Sequence, residues 1–132
     1  MAETTHSLVI PGMHYRDAAA AIEWLCDVFG FATHFVAAGE DNTILHAELT
    51  LGGGMVMLGT RTGEAPFRSA RDTRGISLVV ADADAVFERA KARDAEIVIE
   101  IEDKPYGGRG FTCRDMDGYI WHVGTYDPWQ PK

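Results

Sequence analysis

PYGGRGFTCRDMDGYIWHVGTYDPW, the stretch from Pro105 to Trp129, decides how this chain folds. A glycine-rich loop leads into an extended run at residues 111–114, and a second extended run follows at residues 119–126. Asp117-Gly118 stands between them. Such a pair between two β-prone runs predicts a hairpin whose two central residues both have positive φ. The hairpin also carries His122, the histidine that most strongly indicates a functional site.

The first half of the chain predicts the order strand, helix, strand, strand, strand. A first strand is expected at residues 6–13. Asp17 then caps a helix, AAAAIEWLCDVF, which Gly30 ends. Apolar residues recur in this helix at helical spacing and form an inner stripe with Trp24 at its edge: Ala21, Ile22, Leu25, Val28 and Phe29.

Three further strands are expected at residues 31–38, 43–51 and 55–59, separated by turns rich in polar residues and glycine. The strand at residues 43–51 alternates cleanly. One face takes the apolar set Leu45, Ala47, Leu49 and Leu51, and the other takes Ile44, His46, Glu48 and Thr50.

The second half repeats the pattern. A strand is expected at residues 75–80, and Asp82 caps a helix at residues 83–93. The inner side of this helix is expected to contain Ala85, Val86, Arg89 and Ala90. A strand at residues 96–101 and the hairpin complete this half. Residues 61–74 are polar and aperiodic and predict a linker between a first module at about residues 6–60 and a second at about residues 75–127. The repeat indicates an internal duplication and predicts an α+β fold of two βαβββ modules, whose curved mixed sheets enclose a shared cleft.

Composition excludes several classes of partner. The 132 residues carry a net charge of −8, which disfavours nucleic acid and anionic membrane surfaces. No apolar run reaches the roughly 20 residues of a membrane span, and no secretory leader is evident. Cys26 and Cys113 have no paired spacing, so we expect free thiols in a cytoplasmic protein.

The duplicated pattern, with RDAAAAIEWLCDVFGF in the first half and YGGRGFTCRDMDGYIWHVGTYDP in the second, resembles the vicinal oxygen chelate superfamily. That group includes glyoxalase I, bleomycin-resistance proteins and extradiol dioxygenases. The fragments HAELTLGGGMVMLG and WHVGTYDPW are most similar to the bacterial glyoxalase-like branch. The resemblance covers about residues 7–128 and implies two βαβββ modules, a homodimer and a small-molecule ligand. It does not imply one chemistry, because the fold hosts several.

The resemblance also implies where metal ligands would stand, on the first and last strand of each module. The corresponding positions here are Ile10, Leu58, Gly75 or Ile76, and His122. Only His122 has a donor, whereas a protein-held transition metal normally needs three or more ligands. We therefore expect no metal and no cofactor. His46, Glu48 and His122 together would form an unusual metal site only if their strands approached each other.

Five residues are the candidates for ligand binding: His46, Glu48, Arg109, His122 and Tyr126. His46 and Glu48 share a strand face and could form a general-base pair or simply be exposed polar residues. Arg109, in the glycine-rich loop, could clamp an anionic group or be a solvated loop residue. His122 is either in the cleft or hydrogen-bonded within the sheet; in the family register Tyr126 lies on the same face.

Three functions compete on this fold. The preferred expectation is a protein that binds a small organic metabolite or antibiotic in an apolar, acidic-rimmed cleft. The alternative is a divalent-metal-dependent enzyme, either a glyoxalase I-type lyase or isomerase or a dioxygenase. A third is a metal-free lyase or isomerase that uses His46 or His122 as its base.

Overall fold

The protein is described from a computed structural model, which covers residues 6–62 and 75–130. Apart from residues 61 and 62, the predicted linker lies outside the described residues. The chain divides into two compact units, Met1–Arg68 and Ser69–Lys132, and each is described by itself. None of the helices in the described residues is long and apolar enough to cross a membrane.

The first unit is a four-stranded mixed sheet with one helix. Its elements in chain order are β1 (Gly12–Tyr15), α1 (Ala18–Phe29), β2 (Ala32–Ala38), β3 (Ile44–Leu51) and β4 (Gly54–Thr60). The strand order is β1-β4-β3-β2, with β1 parallel to β4 and the other pairs antiparallel.

The second unit repeats this plan. Its elements are β5 (Gly75–Val79), α2 (Ala83–Ala92), β6 (Glu96–Asp103), β7 (Arg109–Arg114) and β8 (Ile120–Gly124). The strand order is β5-β8-β7-β6, and β5 is parallel to β8. The predicted α+β class and the two βαβββ modules are therefore confirmed.

Both helices begin as predicted. The carboxylate of Asp17 accepts a hydrogen bond from the backbone N–H of Ala20 at 3.1 Å, and Asp82 does the same for Ala85 at 3.0 Å. Each N-cap thus satisfies one of the amide groups that a helix leaves without a partner. Gly30 ends α1 in the left-handed conformation, with φ of 89°, which costs glycine no steric strain.

Each helix packs on one face of its own sheet and builds the core there. In the first unit Leu25 and Val28 of α1 and Leu49 of β3 are completely buried. In the second unit the rings of Phe87 and Phe111 meet edge to face at 5.1 Å. We call the opposite face of each sheet, which its helix does not cover, the open face.

Several predictions about individual residues in the first unit were wrong. Residues 6–11 are not strand, and β1 begins only after Pro11, whose carbonyl accepts from the N–H of Met57. Leu45 is 71% exposed rather than on the core face. The pairing of β2 with β3 slips between Ala37 and Ala38, and such a bulge interrupts the alternation of faces. Trp24, which the sequence places at the stripe's edge, is also buried.

In the second unit the inner side of α2 and the hairpin turn differ from expectation. Phe87 is buried and Arg89 is exposed, because the long arginine remains in water while the aromatic ring enters the core. At the turn, Gly118 has φ of 88°, but Asp117 is not among the residues with positive φ. The turn is organised instead by Asp115, whose carboxylate accepts from the N–H groups of Asp117 and Tyr119.

Candidate functional site

Glu48 joins two histidines on the open face of the first sheet. Its Oε2 lies 2.9 Å from Nε2 of His46, and its Oε1 lies 3.9 Å from Nε2 of His34. His46 and Glu48 therefore do touch, which their shared strand face permitted but did not require. Ala32 lies opposite Thr50, so alternation along β2 places His34 on the same face as Glu48. Sequence reasoning missed His34, because no local pattern of the chain gives the register of β2 against β3.

A row of side chains crosses the first sheet beside this cluster. Phe35 pairs with Glu48, Glu48 with Met57, and Met57 with Gly12. The ring of Phe35 is 51% exposed and its centroid lies 6.3 Å from that of His46. In the part of the chain that the structure describes, no lysine or arginine pairs with Glu48. This row places an aromatic ring, a carboxylate and a thioether side by side on the open face of the first sheet.

His122 lies on the open face of the second sheet. Its neighbours Trp121 and Val123 are buried on the helix side, whereas His122 is exposed. Its Nδ1 lies 2.9 Å from the hydroxyl oxygen of Thr112, the residue opposite on β7. Sequence reasoning missed Thr112, because only the register of the hairpin brings the two residues together.

Arg109 is held by two carboxylates of its own unit. Its Nε lies 3.0 Å from Asp84 and its Nη1 lies 3.2 Å from Asp103. The hydrogen bond to Asp84, which is the larger cause, and the hydrogen bond to Asp103 raise the pKa of Arg109 above its ordinary value. The guanidinium would have to exchange these partners in order to clamp an anionic ligand, so that role stays a prediction.

Tyr126 lies against the glycine-rich loop. Its ring meets that of Tyr106 edge to face at 5.1 Å. A Cβ on Gly108 would come within 2.7 Å of the backbone nitrogen of Tyr126, so the loop backbone approaches Tyr126 more closely there than a side chain would allow. Tyr106 is 64% exposed and adds an aromatic surface beside Tyr126.

The donors do not fit the family's metal site. Among residues 6–62 and 75–130, no group of three or more His, Cys, Asp or Glu side chains could hold a metal ion. Ile10 lies two residues before β1, and by alternation the open face of β1 carries Gly12 and His14. Leu58 is buried on the helix side.

Comparison with known proteins identifies the family. A family model described as the Glyoxalase/Bleomycin resistance protein/Dioxygenase superfamily matches residues 9–123. The chain belongs to this superfamily. Among curated proteins, an uncharacterised protein of Mycobacterium bovis is 29% identical over 131 residues, which cover 94% of this chain and 86% of the relative. A Mycobacterium tuberculosis protein is also 29% identical over 131 residues, and the match covers 94% of this chain and 77% of that protein.

Solved structures of the superfamily share the fold. TioX from Micromonospora sp. ML1 is 36% identical and superposes with a TM-score of 0.69. The match covers 89% of this chain and 97% of the TioX chain. The fosfomycin resistance protein FosX from Listeria monocytogenes, solved with Mn(II) and sulfate, is 15% identical, covers 92% of this chain and 91% of its own, and has a TM-score of 0.71. The likeness to FosX concerns the fold alone.

Proposed function

We propose that this superfamily member binds a small organic molecule on the open faces of its sheets, without the family's full metal site. The main support for this proposal is the row of side chains across the first sheet, in which Glu48 lies between the exposed ring of Phe35 and the thioether of Met57. A carboxylate beside an aromatic ring suits a ligand that has both a cationic or donor group and a flat apolar part. The net charge of −8 favours the approach of such a ligand.

Two histidines add imidazole groups to the open face of the first sheet. His46 and His34 both direct Nε2 toward Glu48, so a ligand that takes the carboxylate also meets imidazole groups. Thioether and aromatic side chains adapt to irregular apolar shapes. This combination supports binding of an antibiotic-sized molecule, and the superfamily's name includes bleomycin resistance.

The test is calorimetric titration of the metal-free protein with bleomycin, a cationic glycopeptide with a planar aromatic segment. Glu48→Gln and His46→Ala should each weaken binding about tenfold, which corresponds to about 1.4 kcal/mol. Glu88→Gln is the matched control, because Glu88 pairs with Lys91 on the surface of α2 and its loss changes the net charge equally. Equal weakening by Glu48→Gln and Glu88→Gln would mean that only overall charge attracts the probe and would contradict the proposal.

The metal-dependent lyase, isomerase or dioxygenase stays a prediction, and so do the homodimer and the cytoplasmic location. Elemental analysis of protein purified without chelators tests the metal. About one divalent ion per chain, held after dialysis, would contradict the proposed metal-free binding function, because structural and catalytic sites retain their ion.

A further inference from the structure

The two ring nitrogens of His122 have different surroundings. Nδ1 lies 2.9 Å from the hydroxyl oxygen of Thr112. Nε2 makes no hydrogen bond within residues 6–62 and 75–130. Because a neutral imidazole has one N–H donor and one acceptor nitrogen, the partner on Nδ1 determines what Nε2 offers to a ligand.

The burial of Thr112 determines the direction of this hydrogen bond. Thr112 is 4% exposed, and among the described residues its hydroxyl has no hydrogen-bond partner besides His122. A buried hydroxyl proton without an acceptor is costly. If Nδ1 donated to Thr112, the threonine proton would have no acceptor there. The arrangement that leaves no buried polar group unpaired has Thr112 donating to Nδ1, with the proton of the neutral imidazole on Nε2.

Gly75 provides the space for this ring position. A Cβ at residue 75 would stand 2.5 Å from Nε2 and 2.6 Å from Cδ2 of His122. Real Cβ atoms do not approach so closely, so any other residue at position 75 would displace the ring. The imidazole is thus held between two neighbours. Its Nδ1 contacts Thr112, and its Nε2 and Cδ2 lie next to Gly75 at the start of β5.

We propose that Thr112 is a positioning residue that keeps His122 as an Nε2–H donor, so that this point of the open face takes an oxygen acceptor of the ligand, such as a carbonyl or carboxylate, and not a metal ion. Metal-bound histidine shows the reverse arrangement: its free nitrogen ligates and its other nitrogen donates to an outer partner. Here the outer partner donates. The inference rests on the proposed binding function and adds the chemical class of the group that meets His122.

The tautomer is measured in the ligand-free, ¹⁵N-labelled full chain by long-range ¹H–¹⁵N NMR at about pH 8, where an ordinary imidazole is neutral. His122→Gln assigns the signals by their loss. We expect a protonated Nε2, an unprotonated Nδ1 and a Thr112 hydroxyl proton protected from exchange. Thr112→Ser should preserve this pattern, and Thr112→Val, which fills the same space in the strand, should produce a mixture of tautomers. A proton on Nδ1 in the wild type, or identical spectra for wild type and Thr112→Val, would overturn the positioning role.

Two probes then test the ligand class. Sodium benzoate should shift the Nε2–H signal of His122 in the wild type and in Thr112→Ser. In Thr112→Val its apparent Kd should rise about twofold, the factor for a competent form populated at about one half. Zinc chloride at stoichiometric concentration should leave the His122 signals of the wild type unchanged. Zinc-induced shifts there, or no response of His122 to benzoate, would overturn the assignment of an oxygen acceptor. Because the NMR experiment determines the tautomer without ligand, a wrong tautomer prediction can be distinguished from a failed bleomycin titration.

Discussion

Replacing Asp115 by alanine removes the acceptor that organises the turn between β7 and β8. Oδ1 of Asp115 accepts from the backbone N–H groups of Asp117 at 3.0 Å and Tyr119 at 3.1 Å. Oδ2 accepts from Nε1 of Trp121 at 3.0 Å. Asp115 is 6% exposed and Trp121 is fully buried, so the bond between them forms where water cannot readily replace it.

The expected cost follows from what each donor loses. The two turn amides belong to half-buried residues and can recover water, so we assign them about 1 kcal/mol each. The indole N–H of Trp121 has no access to solvent, and leaving it unpaired costs about 1–3 kcal/mol. Asp115→Ala should therefore lower the free energy of unfolding by about 3–5 kcal/mol. Asp115→Asn keeps one oxygen acceptor and should cost about 1–3 kcal/mol.

The assay is guanidinium unfolding followed by circular dichroism, because Trp24 and Trp129 also contribute to tryptophan fluorescence and the cycle below removes Trp121. Asp103→Ala is the control, because the Asp103 side chain is 85% exposed and its surface ion pair contributes little to stability. Trp121→Phe completes a double-mutant cycle: without the indole donor, Asp115→Asn should cost measurably less. The reasoning is refuted if both Asp115 variants unfold within about 1 kcal/mol of the wild type.

Three further predictions concern the helix caps, the thiols and the core. Asp17→Ala and Asp82→Ala should each lower the free energy of unfolding by about 1 kcal/mol, measured by chemical denaturation; no change in either would contradict the capping role. Burial, and then the nearby Asp115 charge, raise the pKa of Cys113 to about 12 from 9.0. The unfolded thiol ionises first as pH rises, so the stability contributed by Cys113 should fall between pH 9.0 and about 12; Cys113→Ser should remove that loss, and an unchanged pH profile would contradict it. Leu49→Ala, at a fully buried position, should cost about 2–5 kcal/mol in the same unfolding assay, and a cost below about 1 kcal/mol would place Leu49 outside the core.

Helix positions were the most predictable part of the fold. An N-cap carboxylate and a C-terminal glycine act within one turn of the chain, so α1 could be placed from Asp17 to Gly30 without tertiary information. The inner side of α2 was less predictable, because Arg89 was expected there and is exposed, whereas Phe87, two residues away and on another side of the helix, is buried. Packing against Phe111 decided between them.

Site residues could be proposed from the sequence only where the alternation of a strand is regular. His46 and Glu48 lie two apart on β3, and their contact follows from that spacing together with suitable rotamers. His34 belongs to another strand, and its approach to Glu48 depends on the register of β2 against β3. Thr112 needed the register of β7 against β8, which no local pattern of the chain specifies.

What the sequence determined by itself is therefore the repeated βαβββ order, the helix caps and the superfamily. These features rest on hydrophobic periodicity and short-range hydrogen bonding, which neighbouring residues encode. Only the tertiary structure decided which side chains meet: Glu48 with two histidines, Arg109 with Asp84 and Asp103, and His122 with Thr112 over Gly75. The physical reason is that strand register and bulges are set by pairing between distant segments, and a shift of one residue moves a side chain to the other face of the sheet.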